Sequence, residues 1–283
     1  MNTTNKFLSI GVAILLIALV LFLGFSAAAP ALSAALSDLL ASTSTPTPGA
    51  VIPLKPITGL TSLNATVQIN VNGLIDVQRA QGDLNAVVTT NDQNKSQVTV
   101  TGSLLGQIAA EVGGSLVGLF TPSKVDIYKV PEGTYIVVNA LFPVCVKPEA
   151  ANATEALDDM TPQSLLSMLT GSDVARGRLV GQETRNGKAV KHYVINGEAF
   201  LAAAQKSRNP KLRSFGEALW SAEDADLYVD ATGGYPVAFS GSYSGAYEPL
   251  KFEGDFDVQI ELTGVNTNTP VNLPASCNRP ITP

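Results

Sequence analysis

The chain carries one histidine, His192, and two cysteines, Cys145 and Cys277, so its capacity for side-chain chemistry is narrow from the outset. A zinc centre draws three or four ligands from Cys, His and carboxylates. One imidazole and two thiols 132 positions apart do not supply such a cluster. A Ser-His-Asp arrangement needs a serine activated by its histidine. The one candidate, "GSYSG" at residues 241–245, is spaced unlike a nucleophile elbow and lacks the strand-to-helix setting that motif requires. Paired acids occur twice, in "LDDM" (Asp158, Asp159) and "EDAD" (Glu223, Asp224, Asp226). They could serve as glycosidase carboxylates or hold a cation. Neither run shows the alternating oxygen ligands, glycine and closing Glu of a calcium loop, and both read as solvated surface. "EVGGSLVG" and "ATGGYPVAF" lack the lysine and the strand-to-helix context of a phosphate loop. The residues therefore describe a protein that is not an enzyme, with no catalytic residue, no metal ligand and no cofactor.

The cysteines admit two readings. In an oxidising compartment, two lone cysteines of an exported domain most often pair; the alternative is two buried thiols. A C-x-x-C redox site is absent. A bridge between Cys145 and Cys277 would pin the tail "NLPASCNRPITP" to the middle of the domain.

The elements that must position these residues are mainly strands. "NATVQINVNG" places Ala65, Val67, Ile69 and Val71 on one face and Thr66, Gln68 and Asn70 on the other. "LNAVVTT", "SQVTVTG", "KVDIYKV" and "TYIVVNALF" follow at short intervals, divided by turn residues. "ARGRLVGQETR" and "KAVKHYVI" flank Asn186-Gly187, a two-residue hairpin signal in which both turn positions take positive φ. Alternation sets Val190, His192 and Val194 on one strand face and Lys191, Tyr193 and Ile195 on the other. A second Asn-Gly, Asn196-Gly197, ends that strand, and "EAFLAAAQKSR" changes to helical composition. Three more helices are expected. They are residues 101–120, weakened by Gly113-Gly114; "TPQSLLSML", with Thr161 as N-cap and Pro162 at the first helical position; and "NPKLRSFGEALWSAE", with Leu212, Phe215, Leu219 and Trp220 at helical spacing. The closing segments, "ADLYVDATGGYPVAFSGSYSG" and "KFEGDFDVQIELTGV", return to strands.

The expected fold class is α+β: a large curved antiparallel sheet, a half-barrel, with a few helices on its concave face. Strands with one apolar face need a cover, and about four short helices against about ten strands leave that face incompletely sealed. The space so formed would suit a hydrophobic ligand; the alternative is an ordinary close-packed core.

Before this domain lies an uncharged run from Phe7 to Ser37, preceded by Lys6. Residues 1–30 fit a cleaved signal peptide, with small-residue sites around Ala27 to Ala35, or a membrane-spanning anchor, since Phe7 to Ala28 has the length. Either way the remainder is exported. No cysteine lies near the segment's end, which argues against a lipid-modified cysteine anchor. Residues 31–56, with "ASTSTPTPGAVIPLKP", read as a Ser/Thr/Pro-rich linker, of which "STSTPTP" spans about 20 Å at ~3.1 Å per residue. The domain then runs over 57–283. Lys6 and Asp38 cancel in the first 50 residues, so the formal charge of −6 belongs to the exported part. That argues against nucleic acid or anionic lipid headgroups as electrostatic partners.

"GQETRNGKAVKHYVI" resembles a pattern of the LolA/LolB-like superfamily, in particular the LppX/LprG branch of exported bacterial lipoproteins. The matching positions are Gly181, Glu183, Asn186, Gly187, His192 and Tyr193. "DADLYVDATGGYPVAFS" is similar to that family's strand–turn–strand unit, with Asp230, Gly233 or Gly234, and Pro236 in place. "DFDVQIELTGVNTNTPVNLPASC" resembles its last strand, its exit segment and the late cysteine of some members. The resemblance implies a half-barrel around an acyl-chain cavity and a part in moving lipids or lipoproteins through the envelope. It also implies structural roles for the motif residues, with His192 and Tyr193 in the sheet wall. The absence of an acylated cysteine departs from many relatives. The chain is thus expected to be a monomer, outside the cytoplasm, held at the membrane by its N-terminal segment or secreted, binding a lipid or acyl chain. The alternative is a tethered surface module that engages another protein and holds no ligand.

Overall fold

The computed structural model describes residues 49–55, 57–75, 78–91, 95–105, 122–147, 176–206, 213, 216–247 and 252–281. The N-terminal apolar segment, the expected helix at 161–169, Asp158 and Asp159 lie outside them, as does all but the first turn of the helix expected over 101–120.

Among the described residues, thirteen strands form one open antiparallel sheet. In chain order they are β1 (Ala50–Val51), β2 (Leu63–Ile75), β3 (Gln78–Thr90), β4 (Ser96–Thr101), β5 (Lys124–Val130), β6 (Gly133–Asn139) and β7 (Pro143–Val146). There follow β8 (Arg176–Arg185), β9 (Lys188–Ile195), β10 (Leu219–Ala222), β11 (Ala225–Asp230), β12 (Pro236–Tyr247) and β13 (Phe252–Val265). Their spatial order is β1-β8-β9-β11-β12-β13-β2-β3-β4-β5-β6-β7, with β10 beside β12. Most neighbours are sequence neighbours, because turns this short can join only antiparallel strands. The long step from β13 back to β2 closes the two halves into one sheet.

Sequence alternation sets the two faces. Ala65, Val67, Ile69 and Val71 of β2 are buried while Gln68 and Asn70 are exposed. Their opposed partners on β13, Leu262, Ile260, Val258 and Phe256, are buried as well. One apolar cluster takes side chains from β2 to β6, β9 and β11 to β13. The helix α1 (Gly197–Gln205) joins it through Phe200 and Ala204, together with Ile52, Leu60, Leu104 and Leu105. Truncating a side chain as enclosed as Ile69 to alanine would cost about 2–5 kcal/mol. Register shifts at Leu262/Gly264, Leu179/Gly181, Tyr228/Val229 and Leu219/Ser221 mark bulges, each of which bends its strand and increases its twist. Gly73 opposes Gly254, and a Cβ on either would lie within 3 Å of the facing backbone, so a side chain at either position would force β2 and β13 apart there.

Two sequence expectations change at this level. Leu219 and Trp220 were expected on a helix, but that helix ends at Ala218 and residues 219–222 form β10 against β12. Ladder bonds to Gly245 and Tyr243 outweigh helical propensity, as tertiary pairing commonly does; Leu219 enters the core and Trp220 faces solvent. Second, sheet pairing begins at Ala50, inside the 31–56 stretch assigned by composition to the linker. Ala50 opposes Gly177, Ile52 is buried, and Lys55 N–H donates to Gly234 O at 2.8 Å.

A second, smaller cluster lies on the opposite face of β5–β7. Tyr128, Val130, Tyr135, Val137 and Cys145 are covered there by Val271, Leu273 and Cys277 of the C-terminal tail. Cys145 and Cys277 are bonded, with Cα atoms 5.1 Å apart. A short 3₁₀ turn, Ala275–Asn278, delivers Cys277, and Ile281 makes a parallel bridge with Val146.

Candidate functional site

His192 sits on β9 with its ring directed away from the main core, while Tyr193 and Ile195 point into it. Its Nε2 lies 2.7 Å from Asp226 Oδ1 on β11. The ring stacks on Tyr228, two residues along the same strand, at 4.5 Å between centroids and 17° between planes. The guanidinium of Arg185 covers Tyr228 at 4.1 Å, and Arg185 Nε also meets Glu261 Oε1 at 3.3 Å. Burial, and then the charge of Asp226, raises the Tyr228 hydroxyl above its ordinary range. Imidazole, carboxylate, phenol and guanidinium therefore satisfy one another on the sheet face opposite the main apolar cluster.

The other motif positions surround the same hairpin. Asn186 and Gly187 join β8 to β9 with φ of 50° and 73°, as a two-residue turn between right-twisted strands demands. Asn186 Nδ2 donates to Glu261 Oε1 at 2.9 Å. Gly181 opposes His192 beside the β8 register shift, and the exposed Glu183 opposes Val190, beyond the stretch of β8 that β1 pairs. Asp230 ends β11, where its Oδ1 accepts the N–H groups of Thr232 and Gly233 and closes the turn to the buried Pro236 of β12.

The acids of "EDAD" divide their tasks. Asp226 faces His192, whereas Asp224 Oδ1 accepts from Asn196 Nδ2 and Gly197 N–H, both at 3.0 Å, at the start of α1. Asn196 itself caps that helix by accepting from Ala199 N–H at 2.9 Å, so this Asn-Gly opens a helix. The serines of "GSYSG" lie on β12: Ser242 Oγ donates to Asp257 at 2.7 Å and Ser244 Oγ to Asp255 at 2.6 Å, while Tyr243 fills the core. Burial drives the Tyr243 hydroxyl far above the usual tyrosine range. Among the described residues, no group of three or more His, Cys, Asp or Glu side chains could hold a metal ion.

Two features escape sequence reading. Asp126, 2% exposed on β5, is held by Lys124 Nζ at 2.8 Å, Thr99 Oγ1 at 2.6 Å and Asn139 Nδ2 at 2.9 Å. "KVDIYKV" supplies Lys124 but gives no sign that its aspartate is enclosed, because Thr99 and Asn139 come from β4 and β6. The other is a cavity of about 500 Å³ over β13, β2 and β3, lined by Asn70, Asn72, Gln81, Asp83, Asp255 and Asp257 above Val71 and Phe256. Its polar lining lies on the sheet face opposite the main apolar cluster and is unsuited to an acyl chain. The apolar face itself is continuous across nine adjacent strands, and its side chains are buried.

No family model and no curated protein matches the chain. Among solved structures, LprF from Mycobacterium bovis matches with a TM-score of 0.40 and 15% identity over 77% of this chain and 90% of its own. The chain is structurally similar to LprF. A putative outer membrane lipoprotein-sorting protein domain from Vibrio parahaemolyticus matches with a TM-score of 0.23 and 8% identity, over 75% of this chain and 88% of that one. A DUF1329 family protein from Desulfovibrio piger gives 0.25 and 6%, over 76% and 89%.

Proposed function

We propose that this protein is an extracytoplasmic, non-enzymatic binder of lipid or lipoprotein acyl chains, held near the membrane through its N-terminal segment. The ligand lies against the inner, apolar side of a sheet bent into a half-barrel, with helices on that side. The carrying observation is the apolar face itself: nine neighbouring strands contribute buried Val, Ile, Leu, Phe and Ala side chains to one cluster, on an open sheet bent by four bulges. The polar residues that could have suggested chemistry are engaged in turns, caps and cross-strand pairs on the other side. The motif residues Gly181, Glu183, Asn186, Gly187, His192, Tyr193, Asp230 and Pro236 then act as scaffold, fixing the β8–β9 hairpin and the β11–β12 turn that shape the wall. Among the described residues no helix is long and apolar enough to cross a membrane; the membrane hold is assigned to residues 1–30 on their apolar sequence.

Native mass spectrometry of the full chain, extracted from membranes and released from detergent, tests the reading. One acyl-chain ligand per monomer is expected. Ligand-free protein that also fails to take up a fluorescent fatty acid would remove the binding function and leave a tethered interaction module.

A further inference from the structure

The β7 edge of the sheet carries an exposed apolar strip, as the β1–β8 edge does with Val51, Leu179 and Val180, but its Leu141 and Phe142 are the most exposed. Leu141 and Phe142, in the turn before β7, are 72% and 76% exposed, Val144 within it 42%, and Ile281 beside its end 57%. Cations stand at both ends of this strip: Lys124, whose strand position opposes Asn139 next to the turn, and Lys147 and Arg279 near Val146 and Ile281. Over residues 122–147 and 266–281 the chain carries Lys124, Lys129, Lys147 and Arg279 against Asp126 and Glu132, within a protein of formal charge −6. Asp126 is enclosed and paired with Lys124. An apolar strip with a basic rim matches the interface of a phospholipid bilayer, where acyl chains lie beneath phosphate groups.

The strip is also continuous with the apolar face. Val144 opposes Val138 of β6, and Val138 packs on the main cluster. A path from bilayer to inner face would cross only Phe142, Val144 and Val138. An unbroken row of opposed residues runs Arg178–Val194–Asp226–Ser240–Gln259–Gln68–Asn85–Thr101–Lys124–Asn139–Pro143. Ala50, the first paired residue, opposes Gly177 at one end of that row. Ala50 and the β7 turn thus lie near the two ends of one row of paired residues, on opposite edges of the sheet.

We infer that the β7 edge is a bilayer-contacting threshold through which acyl chains pass between a membrane and the apolar face. This rests on the lipid-binding reading above. The test places the full chain, carrying Phe142→Trp in a Trp220→Phe background, in phosphatidylcholine vesicles whose acyl chains bear bromine. A control protein carries Ala189→Trp, beside the β8–β9 turn, in the same background. Quenching of the indole fluorescence at least twofold greater in the Phe142→Trp protein than in the control is expected. In Leu141→Ser/Phe142→Ser protein of unchanged thermal midpoint, transfer of a fluorescent fatty acid from vesicles should slow about tenfold, with equilibrium binding preserved. Equal quenching at both positions overturns the inference. So does a doubled mass by light scattering that the serine variant abolishes, because the edge would then seat a second copy. Loss of all lipid uptake, with quenching of the Phe142→Trp protein intact, would refute the cavity reading and keep the membrane contact.

Discussion

Asp83 shows how a strand carboxylate is tuned by one neighbour. Its Oδ1 accepts from Ser103 Oγ at 2.7 Å and from Ser103 N–H at 3.2 Å, and Asn85 Nδ2 donates to the other oxygen at 2.6 Å. These bonds, the Ser103 hydroxyl first, hold its pKa below the ordinary aspartate value. A depressed folded pKa stabilises above the unfolded value of about 3.9 and loses that contribution as pH falls through the folded value. Ser103→Ala should therefore raise the Asp83 midpoint in a carboxyl-carbon NMR titration and leave a smaller loss of stability between about pH 4 and the folded value. An unchanged midpoint would show that the backbone N–H and Asn85 suffice. At the same scale, the setting of Asn186-Gly187 was legible because positive φ at two consecutive turn residues is a local demand. The Asp226 partner of His192 was not, since 34 positions separate them and pairing of β9 with β11 alone brings them together.

The element whose stability depends most on one covalent link is the C-terminal tail. It leaves β13 through Asn266, whose Oδ1 accepts from Thr61 N–H at 2.9 Å and whose Nδ2 donates to Gly59 O at 3.1 Å. It then crosses β5–β7 to the Cys145–Cys277 bond. Few apolar side chains hold it: Val271 and Leu273 with Cys277. Cys145→Ser/Cys277→Ser should lose about 2–4 kcal/mol in urea unfolding. It should also admit protease cleavage within residues 266–281 under conditions where the parent chain resists. Equal midpoints would mean that the bond adds nothing beyond the packing. Pairing of the cysteines was expected from their number and compartment. That the tail builds a separate core on the outer side of the sheet was not, because "NLPASC" has no periodicity from which to read a partner.

For the molecule as a whole, a sheet core that includes aromatic hydroxyls is sensitive to alkali. Burial raises Tyr128, Tyr228 and Tyr243 above the ordinary tyrosine value, most strongly Tyr243. Below about pH 10 folded and unfolded chains both keep these protons; above it the unfolded chain releases them first, so stability falls as pH rises. Thermal midpoints should drop steeply beyond about pH 10. Tyr243→Phe should flatten that drop, and a titration followed at the tyrosinate absorbance should show late protons that appear only on unfolding. A midpoint that falls equally in the variant would assign the loss to other groups. The sequence by itself determined the antiparallel strands, the polar and apolar faces of each, the β8–β9 turn and the pool of chemical groups, because alternation and turn geometry are properties of neighbouring residues. Tertiary structure alone decided the order of thirteen strands, the conversion of residues 219–222 from helix to strand and the enclosure of Asp126. It also decided the exposure of the β7 edge. Each of these depends on which distant segment supplies a hydrogen-bonding partner or removes water, and no local pattern carries that information.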